Sequence, residues 1–291
     1  AQVAFVATPL HLPAHPAWSG WVLNLLSRSL PRSLQGLISE TMSSLFVNKD
    51  EPMENDDRTY LSFNTDVTSR DDLGPKMPEE DLQLVEEFNP MLEHKWVLWE
   101  QHHQKSKEDK YHDATKEVCS FQSVKEFWNV WNFLPQPSEL LLKNQIVRET
   151  EDGDIPVNCL AIFREGIQPQ WEDPQNYNGG HFQLTIRYNL NPGLVDELWN
   201  NTVISMITGA MEHSDKLTGV RLVDKLDNKT KPHLRIELWF SDYDEETREG
   251  GQGEVFDLRG SFEKCLRTGL DGTDKKVSWG RTTCVDHRKE A

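Results

Sequence analysis

The sixteen residues "GIQPQWEDPQNYNGGH", from Gly166 to His181, decide the fold to which this chain is assigned. They place one tryptophan, Trp171, directly before two acids, Glu172 and Asp173, in a segment rich in proline, asparagine and glycine. That composition is typical of a loop. From these three residues alone, a half-buried loop tryptophan with solvated acids is the simplest interpretation. A ligand-binding pair is the alternative.

The side chains of Trp171 and Glu172 suit one kind of ligand in particular. An indole face stacks on any flat base and holds a cationic ring more strongly, by about 0.5 to 2 kcal/mol. A carboxylate can accept two parallel N–H bonds, and guanine offers such a pair on its Watson–Crick edge. Charge-assisted bonds of this kind contribute about 1.5 to 3 kcal/mol each. The pair therefore fits guanine, and best a guanine made cationic by methylation at N7.

Composition excludes several other classes of protein. A net charge of −17 over 291 residues argues against broad binding of duplex nucleic acid, but a few local cations could still hold a small anion. The sequence contains no run of about 18 or more apolar residues, so we predict no membrane span. The four cysteines show no CxxC spacing, so we expect buried or incidental thiols rather than a metal site. We predict neither a metal nor a cofactor.

Three regions differ in composition along the chain. Residues 1–41 are poor in acids and precede the first methionine, Met42. We favour a translated leader for this atypical segment, with a targeting-like segment as the alternative. Residues 42–88 are polar, acidic and interrupted by prolines, which predicts a disordered tail. Residues 89–291 are predicted to form one folded domain.

Hydrophobic periodicity within 89–291 predicts an α+β domain. A helix is predicted over 120–134, where Ser123 and Glu126 have the spacing of a capping box. Two further helices are predicted over 191–211 and 252–268. Alternating apolar residues predict strands at 94–101, 158–165, 181–188, 217–226, 233–242 and 275–281. This order indicates an antiparallel β-sheet covered by three helices on one face.

The motifs, taken in order, resemble one known family. "FREGIQPQWEDPQNYNGGHF" is similar to the central signature of eukaryotic translation initiation factor 4E, the family that binds the mRNA 5′ cap. The "HKWVLW", "FQSVKEFWNVWN", "DELWNNTVISMI" and "RIELWFSD" segments resemble the family in order and spacing, over roughly residues 89–281. The resemblance implies a curved antiparallel sheet backed by three helices, with the cap site on the concave face.

The resemblance also assigns the residues that hold the cap base. It implies that Trp171 and Tyr111 stack on the two sides of the 7-methylguanine and that Glu172 binds the guanine edge. Tyr111 stands where the family usually has tryptophan, so it offers less stacking area and a weaker cation–π interaction. Tyrosine at this place also resembles the members that bind caps but repress translation.

Basic residues on neighbouring strands are implied as contacts to the cap phosphates. These are Lys225 and Arg235, together with His181 at a position where the family has a stronger base. Lys229 and Lys231 lie in a longer segment than the family has; they could supplement this site, but a solvated loop is favoured.

A second surface is implied on the helical face, where Val124 and Trp128 would receive a helical peptide from the initiation scaffold or from a repressor. Asn200 and Asn201 replace an apolar and an acidic residue of the family, which leaves the choice of partner open. The whole predicted peptide surface consists of Pro90, Val124, Trp128, Asn200, Asn201 and Ile204.

The sequence thus predicts a non-enzymatic, RNA-binding initiation factor of protein biosynthesis. It would bind the 7-methylguanosine cap of mRNA and recruit the initiation scaffold, as a monomer in the cytoplasm and also in the nucleus. One alternative is a cap-binding competitor that represses translation, which Tyr111 and the two asparagines favour. The other is a protein–protein module with a decayed cap site, which the presence of both Trp171 and Glu172 disfavours. No membrane partner is expected, and motifs for hydrolytic or metal-assisted catalysis are absent.

Overall fold

A computed structural model describes residues 59–69, 89–103, 114–143, 145–148, 153–187, 190–243, 252–269, 272, 274 and 282–289. Four features predicted from the sequence lie outside these residues: the segment 1–41, the tail predicted over 42–88 except for residues 59–69, the stacking residue Tyr111 and the strand over 275–281.

Within the described residues, eight strands form one sheet, and every pairing between them is antiparallel. They are β1 (Met91–His102), β2 (Thr115–Ser123), β3 (Ile146–Arg148), β4 (Ile155–Arg164), β5 (Gly180–Arg187), β6 (Leu217–Lys225), β7 (His233–Phe240) and β8 (Thr282–Asp286). Their order is β2-β1-β4-β6-β7-β5-β8, and β3 pairs with β4 off this path.

The described residues also form five α-helices. They are α1 (Val124–Trp131), α2 (Pro137–Lys143), α3 (Pro174–Tyr177), α4 (Pro192–Ile207) and α5 (Glu254–Arg267). Helices α1, α4 and α5 correspond to the three predicted ones, whereas the short α2 and α3 were not predicted. The predicted α+β fold, with an antiparallel sheet and three main helices, is confirmed.

The pleat of each central strand separates two apolar clusters. In β7, Ile236 and Leu238 belong to the large core that contains the helices. Trp239 belongs to a smaller cluster on the opposite face, and Arg235 and Glu237 share its side of the strand. We call this side, which the helices do not cover, the open face of the sheet. Successive side chains of a strand point to opposite faces, so the core residues determine which residues reach the open face.

Helix α1 begins where its capping box predicts. Ser123 Oγ accepts a hydrogen bond from the Glu126 N–H at 3.3 Å, and Glu126 Oε2 accepts one from the Ser123 N–H at 3.1 Å. The helix starts at Val124 rather than at residue 120, because residues 115–123 form β2. This strand was missed because its charged residues obscure the alternation, as is common at the edge of a sheet.

Residues 59–69 correct the prediction that 42–88 is a disordered tail. Tyr60 and Leu61 are 5% and 1% exposed and belong to the main core. The Leu61 N–H donates to Glu197 Oε1 at 3.2 Å, and its C=O accepts from Asn200 Nδ2 at 2.8 Å. This part of the predicted tail is therefore part of the folded domain, which does not begin at residue 89.

A single carboxylate joins this segment to two helices. Asp196 of α4 is buried and accepts hydrogen bonds from Ser62 Oγ at 2.6 Å and from the N–H and Oγ of Ser138 at 2.7 and 2.6 Å. Burial raises the pKa of Asp196 to about 6, and the hydrogen bonds from Ser138 and Ser62 oppose this rise without cancelling it.

Asp196 should make the stability of the protein depend on pH in a defined direction. Its pKa is about 6 in the folded chain and 3.8 in the unfolded chain, so between these pH values the folded protein binds more protons than the unfolded one. The stabilisation from Asp196 is fully present below pH 4. It falls by about 1 to 3 kcal/mol as the pH rises through 6.

Urea unfolding of the wild type and of Asp196→Asn at pH 4.5 and 7.5 measures this effect, since asparagine cannot ionise. The variant should lose less stability than the wild type between the two pH values. Asp66→Asn, at an exposed position of the same segment, serves as the control and should behave as the wild type. Equal pH dependence in the wild type and in Asp196→Asn would contradict the assignment.

Candidate functional site

The loop that carries Trp171 is held together by its own polar side chains. Asp173 is buried, and its carboxylate accepts from the Gln175 N–H and from the Gln168 N–H, both at 2.9 Å. It thereby caps α3 and closes the preceding turn. Asp173 therefore has a structural role, and Glu172 remains as the exposed acid next to Trp171.

A second brace fixes the other end of the loop. The side-chain amide of Asn176 is fully buried and donates to the carbonyls of Gln168 and Gln170 at 2.9 and 3.0 Å. The chain then passes so close to β7 that a Cβ at Gly179 would lie 1.8 Å from the carbonyl oxygen of Phe240. Only glycine fits there, which explains the first glycine of the pair.

The braced loop places Trp171 on the open face. Its ring is half-buried and packs against the cluster that contains Trp239. Its Nε1 is buried and has no hydrogen-bond partner among the described residues. The loop is thus braced on both sides of an indole that is partly exposed.

Two histidines form the floor beside Trp171. The His181 ring stacks on Trp239, with centroids 5.4 Å apart and an interplanar angle of 13°. His181 Nδ1 lies 2.9 Å from His287 Nε2, and His287 Nδ1 lies 2.8 Å from the carbonyl oxygen of Asn176. A carbonyl only accepts, so His287 Nδ1 carries a proton; its Nε2 then accepts from the Nδ1–H of His181.

This environment changes the role predicted for His181. Its side chain is 4% exposed. Burial lowers its pKa to about 4, and burial also lowers the pKa of His287. His181 is therefore neutral at physiological pH and belongs to the floor of the open face. This placement corrects its prediction as a cationic contact to the cap phosphates.

A buried ion pair that the sequence analysis missed crosses the open face. Glu237 is 2% exposed, with Oε2 3.5 Å from Arg221 Nη1 and Oε1 3.0 Å from Arg235 Nη2. The indole N–H of Trp239 also donates to Glu237 at 3.3 Å. Burial opposes ionisation, but the neighbouring charges, chiefly that of Arg221, outweigh it and lower the pKa of Glu237. The sequence did contain a signal for this ion pair, because charged residues lie inside two neighbouring apolar strands, β6 and β7.

The structure brings the two predicted phosphate ligands together on the open face. The register pairs Val223 with Arg235 and Lys225 with His233, so Lys225 and Arg235 are diagonal neighbours on adjacent strands. Lys225 is exposed, and Arg235 also donates to Gln183 Oε1 at 3.3 Å.

The predicted peptide surface is largely closed. Val124, Trp128 and Ile204 are 2%, 6% and 1% exposed and line a narrow crevice together with neighbouring apolar residues. Pro90 contributes its carbonyl, which accepts from the Val124 N–H at 2.9 Å.

The prediction that Asn200 and Asn201 contact a peptide is wrong, because both are buried and bonded inside the chain. Asn200 Oδ1 accepts from Trp131 Nε1 at 3.0 Å, and its Nδ2 donates to the carbonyl of Leu61. Asn201 Nδ2 donates to the carbonyl of Thr268 at 2.8 Å. These asparagines therefore complete internal hydrogen bonds and say nothing about the choice of partner.

Other features of the described residues do not compete with this site. A shallow depression of about 550 Å³ lies beside the loop, but its lining mixes both charges and does not include Trp171. Within the same residues, no group of three or more potential ligands is arranged for a metal ion. None of the helices described there has the length and apolarity needed to cross a membrane.

Comparisons with known proteins agree on one family. The family model described as "Eukaryotic initiation factor 4E" matches residues 91–269. The chain is 32% identical over 165 residues to eukaryotic translation initiation factor 4E of Candida albicans, which covers 55% of this chain and 69% of that protein. It is 29% identical over 184 residues to the Saccharomyces cerevisiae factor, covering 62% and 72% respectively.

Among solved structures, the chain is similar to C. elegans eIF4E-3 in its complex with the 4E-binding protein Mextli. The identity is 19%, the match covers 69% of this chain and 96% of that chain, and the TM-score is 0.49. A second structure of that pair also contains a cap analogue.

The hydrogen bonds of His287 should control the rigidity of the loop. His287→Ala removes the bond to Asn176 and leaves the His181 Nδ1–H unpaired, at a cost of about 1 kcal/mol or more. We expect amide exchange over residues 168–178 to become at least about fivefold faster, as measured by hydrogen–deuterium exchange. Arg288→Ala, in the same 3-10 turn and exposed, is the matched control. Unchanged exchange in His287→Ala would show that the loop is held without this residue.

Proposed function

Since the chain belongs to the eukaryotic initiation factor 4E family, we propose that it binds the 7-methylguanosine 5′ cap of mRNA and recruits the initiation scaffold in cap-dependent translation. Members of this family are mRNA cap-binding translation initiation factors rather than enzymes. The observation that carries the proposal is a braced loop that packs Trp171 on the open face and leaves the neighbouring Glu172 exposed.

Trp171 and Glu172 supply the two interactions that a methylated guanine needs. The indole is fixed from behind by the open-face cluster, so its ordering costs little entropy when a base stacks on it. The exposed Glu172 carboxylate can accept both N–H groups of the guanine edge. In this proposal Tyr111 covers the other side of the base, as its resemblance to the family implies.

The charges of the open face support phosphate binding at one end. Arg221 and Arg235 carry two positive charges against the single negative charge of Glu237, which leaves one net positive charge. Arg235 lies four residues from Trp239 along β7, a distance of roughly 13 Å. An extended nucleotide can therefore place its base near Trp171 and its phosphates near Arg235 and Lys225.

One observation favours the competitor as a second candidate function. The ring of Phe63 packs edge-on against Trp128, with centroids 5.4 Å apart, and Trp128 is mostly covered. A chain whose partner surface is already occupied would hold the cap without recruiting the scaffold. The protein–protein module with a decayed site is disfavoured, because the loop that presents Trp171 is intact.

In either candidate, the protein acts as a monomer in the cytoplasm, with the nucleus as a second location.

Retention on immobilised 7-methyl-GTP tests the cap site. Free 7-methyl-GTP should release the wild-type protein, whereas GTP at the same concentration should not. Trp171→Ala should weaken binding about 5- to 150-fold, since stacking contributes about 1 to 3 kcal/mol per base. Tyr177→Ala is the matched control, because Tyr177 is an exposed aromatic residue of the same loop. Equal release by GTP would contradict recognition of a cationic base, and full retention of Trp171→Ala would contradict the stacking role.

A translation extract separates the two candidate functions. After depletion of the extract's own factor on 7-methyl-GTP resin, added protein should restore translation of a capped reporter if it recruits the scaffold. Translation from an uncapped internal entry site is the control and should not change. Failure to restore translation, combined with inhibition of an undepleted extract, would favour the competitor and contradict scaffold recruitment.

A further inference from the structure

We propose that residues 59–69 are a ligand in cis of the helical face, and that a helical partner must displace Phe63 from Trp128 in order to bind. The inference rests on the proposed partner-binding role of that face. The inference goes beyond that role because it names the occupant that competes with a partner, a segment of the chain itself.

The segment packs on a stripe of α4 whose residues all contact it. The stripe has the i, i+3, i+4, i+7 spacing of one helix face, and consists of Gly193, Asp196, Glu197 and Asn200. Gly193 leaves room for an aromatic ring, since a Cβ there would lie 2.6 Å from Cδ2 of Tyr60. The other three side chains hydrogen-bond the next two residues of the segment, Leu61 and Ser62.

The segment consists of an anchor on α4 and a following turn, and the turn is itself tied to α2 because Asn64 Nδ2 donates to Ser138 Oγ at 2.9 Å. Tyr60, Leu61 and Ser62 are 5%, 1% and 0% exposed and form the anchor. Phe63 is only partly buried and is followed by a turn in which the Val67 and Thr68 N–H groups donate to the Asn64 carbonyl. Phe63 can therefore leave Trp128 without breaking the hydrogen bonds of the anchor to α4.

Phe63 covers the aromatic residue that a partner would need. Helix-in-groove partners bind through a few apolar anchors in a central, desolvated position. Trp128 borders the narrow crevice between α1 and α4, beside Val124 and Ile204. Phe63 occupies one side of the Trp128 ring, so a partner side chain that packs on that side must take the place of Phe63.

The binding of one defined probe tests this competition. The probe is the 4E-binding fragment of Mextli, titrated calorimetrically into the full chain. Phe63→Ala removes the competing ring, and Ser62→Asp adds a charge beside Asp196 that should detach the segment without shortening it. Both variants should bind the fragment about 5- to 10-fold more tightly than the wild type, as expected for loss of one aromatic pair. Asp66→Ala, exposed in the same segment, is the control and should bind as the wild type.

Two further readouts make each outcome decisive. Binding of 7-methyl-GTP should be the same in all four proteins, which verifies folding and keeps the cap proposal separate. Adding the fragment to the wild type should speed amide exchange at Val67 and Thr68. Equal or weaker binding of the fragment by Phe63→Ala would overturn the inference while leaving partner binding intact. If no protein binds the fragment although all bind 7-methyl-GTP, the inference and the proposed partner role both fail.

Discussion

The register of β7 is the constraint on which the rest of the structure depends. This strand lies between β6 and β5 and is paired with both along its length. Ile236 and Leu238 are held in the helical core, so Arg235 and Trp239 must face the open side. A slip by one residue would place charged groups in the core, at a cost that no pairing there could offset. The core thus determines the position of the candidate site.

The same register gives the open face a direction. At one end Trp239 supports the stacked His181, whose neutral ring adds no charge beneath the Trp171 loop. At the other end Glu237 holds Arg235 in place, because two hydrogen-bonded charges restrict each other. In the proposed function, a ligand with a flat base and an anionic tail would therefore bind in one orientation only. The sheet alone determines this difference between the two ends of the open face. The loop adds Trp171 and Glu172, the residues proposed to select the base.

Local physics explains what the sequence could predict. The capping box at Ser123 and the alternation in β7 depend on neighbours within a few residues, so both were predicted correctly. His181 was misassigned because its environment comes from His287, 106 residues away. The burial of Asn200 depends on Leu61, 139 residues away, and that segment was itself missed because the acidic stretches on either side concealed its four apolar residues. Contacts between distant segments determine these roles, and a single sequence does not show them.

The burial of α4 on every side changes how its surface should be understood. Fifteen of its residues are buried, so the helix presents no free face among the described residues, and one stripe is covered by the chain's own segment. An incoming helix would exchange one set of contacts for another. Its apparent affinity is then the intrinsic affinity reduced by the fraction of molecules in which Phe63 has left Trp128. If that fraction is about one tenth, the partner binds about tenfold more weakly, and any event that detaches the segment restores the affinity without a change in the binding surface. In the proposed competition, the state of one short segment thus determines how tightly the helical face binds a partner.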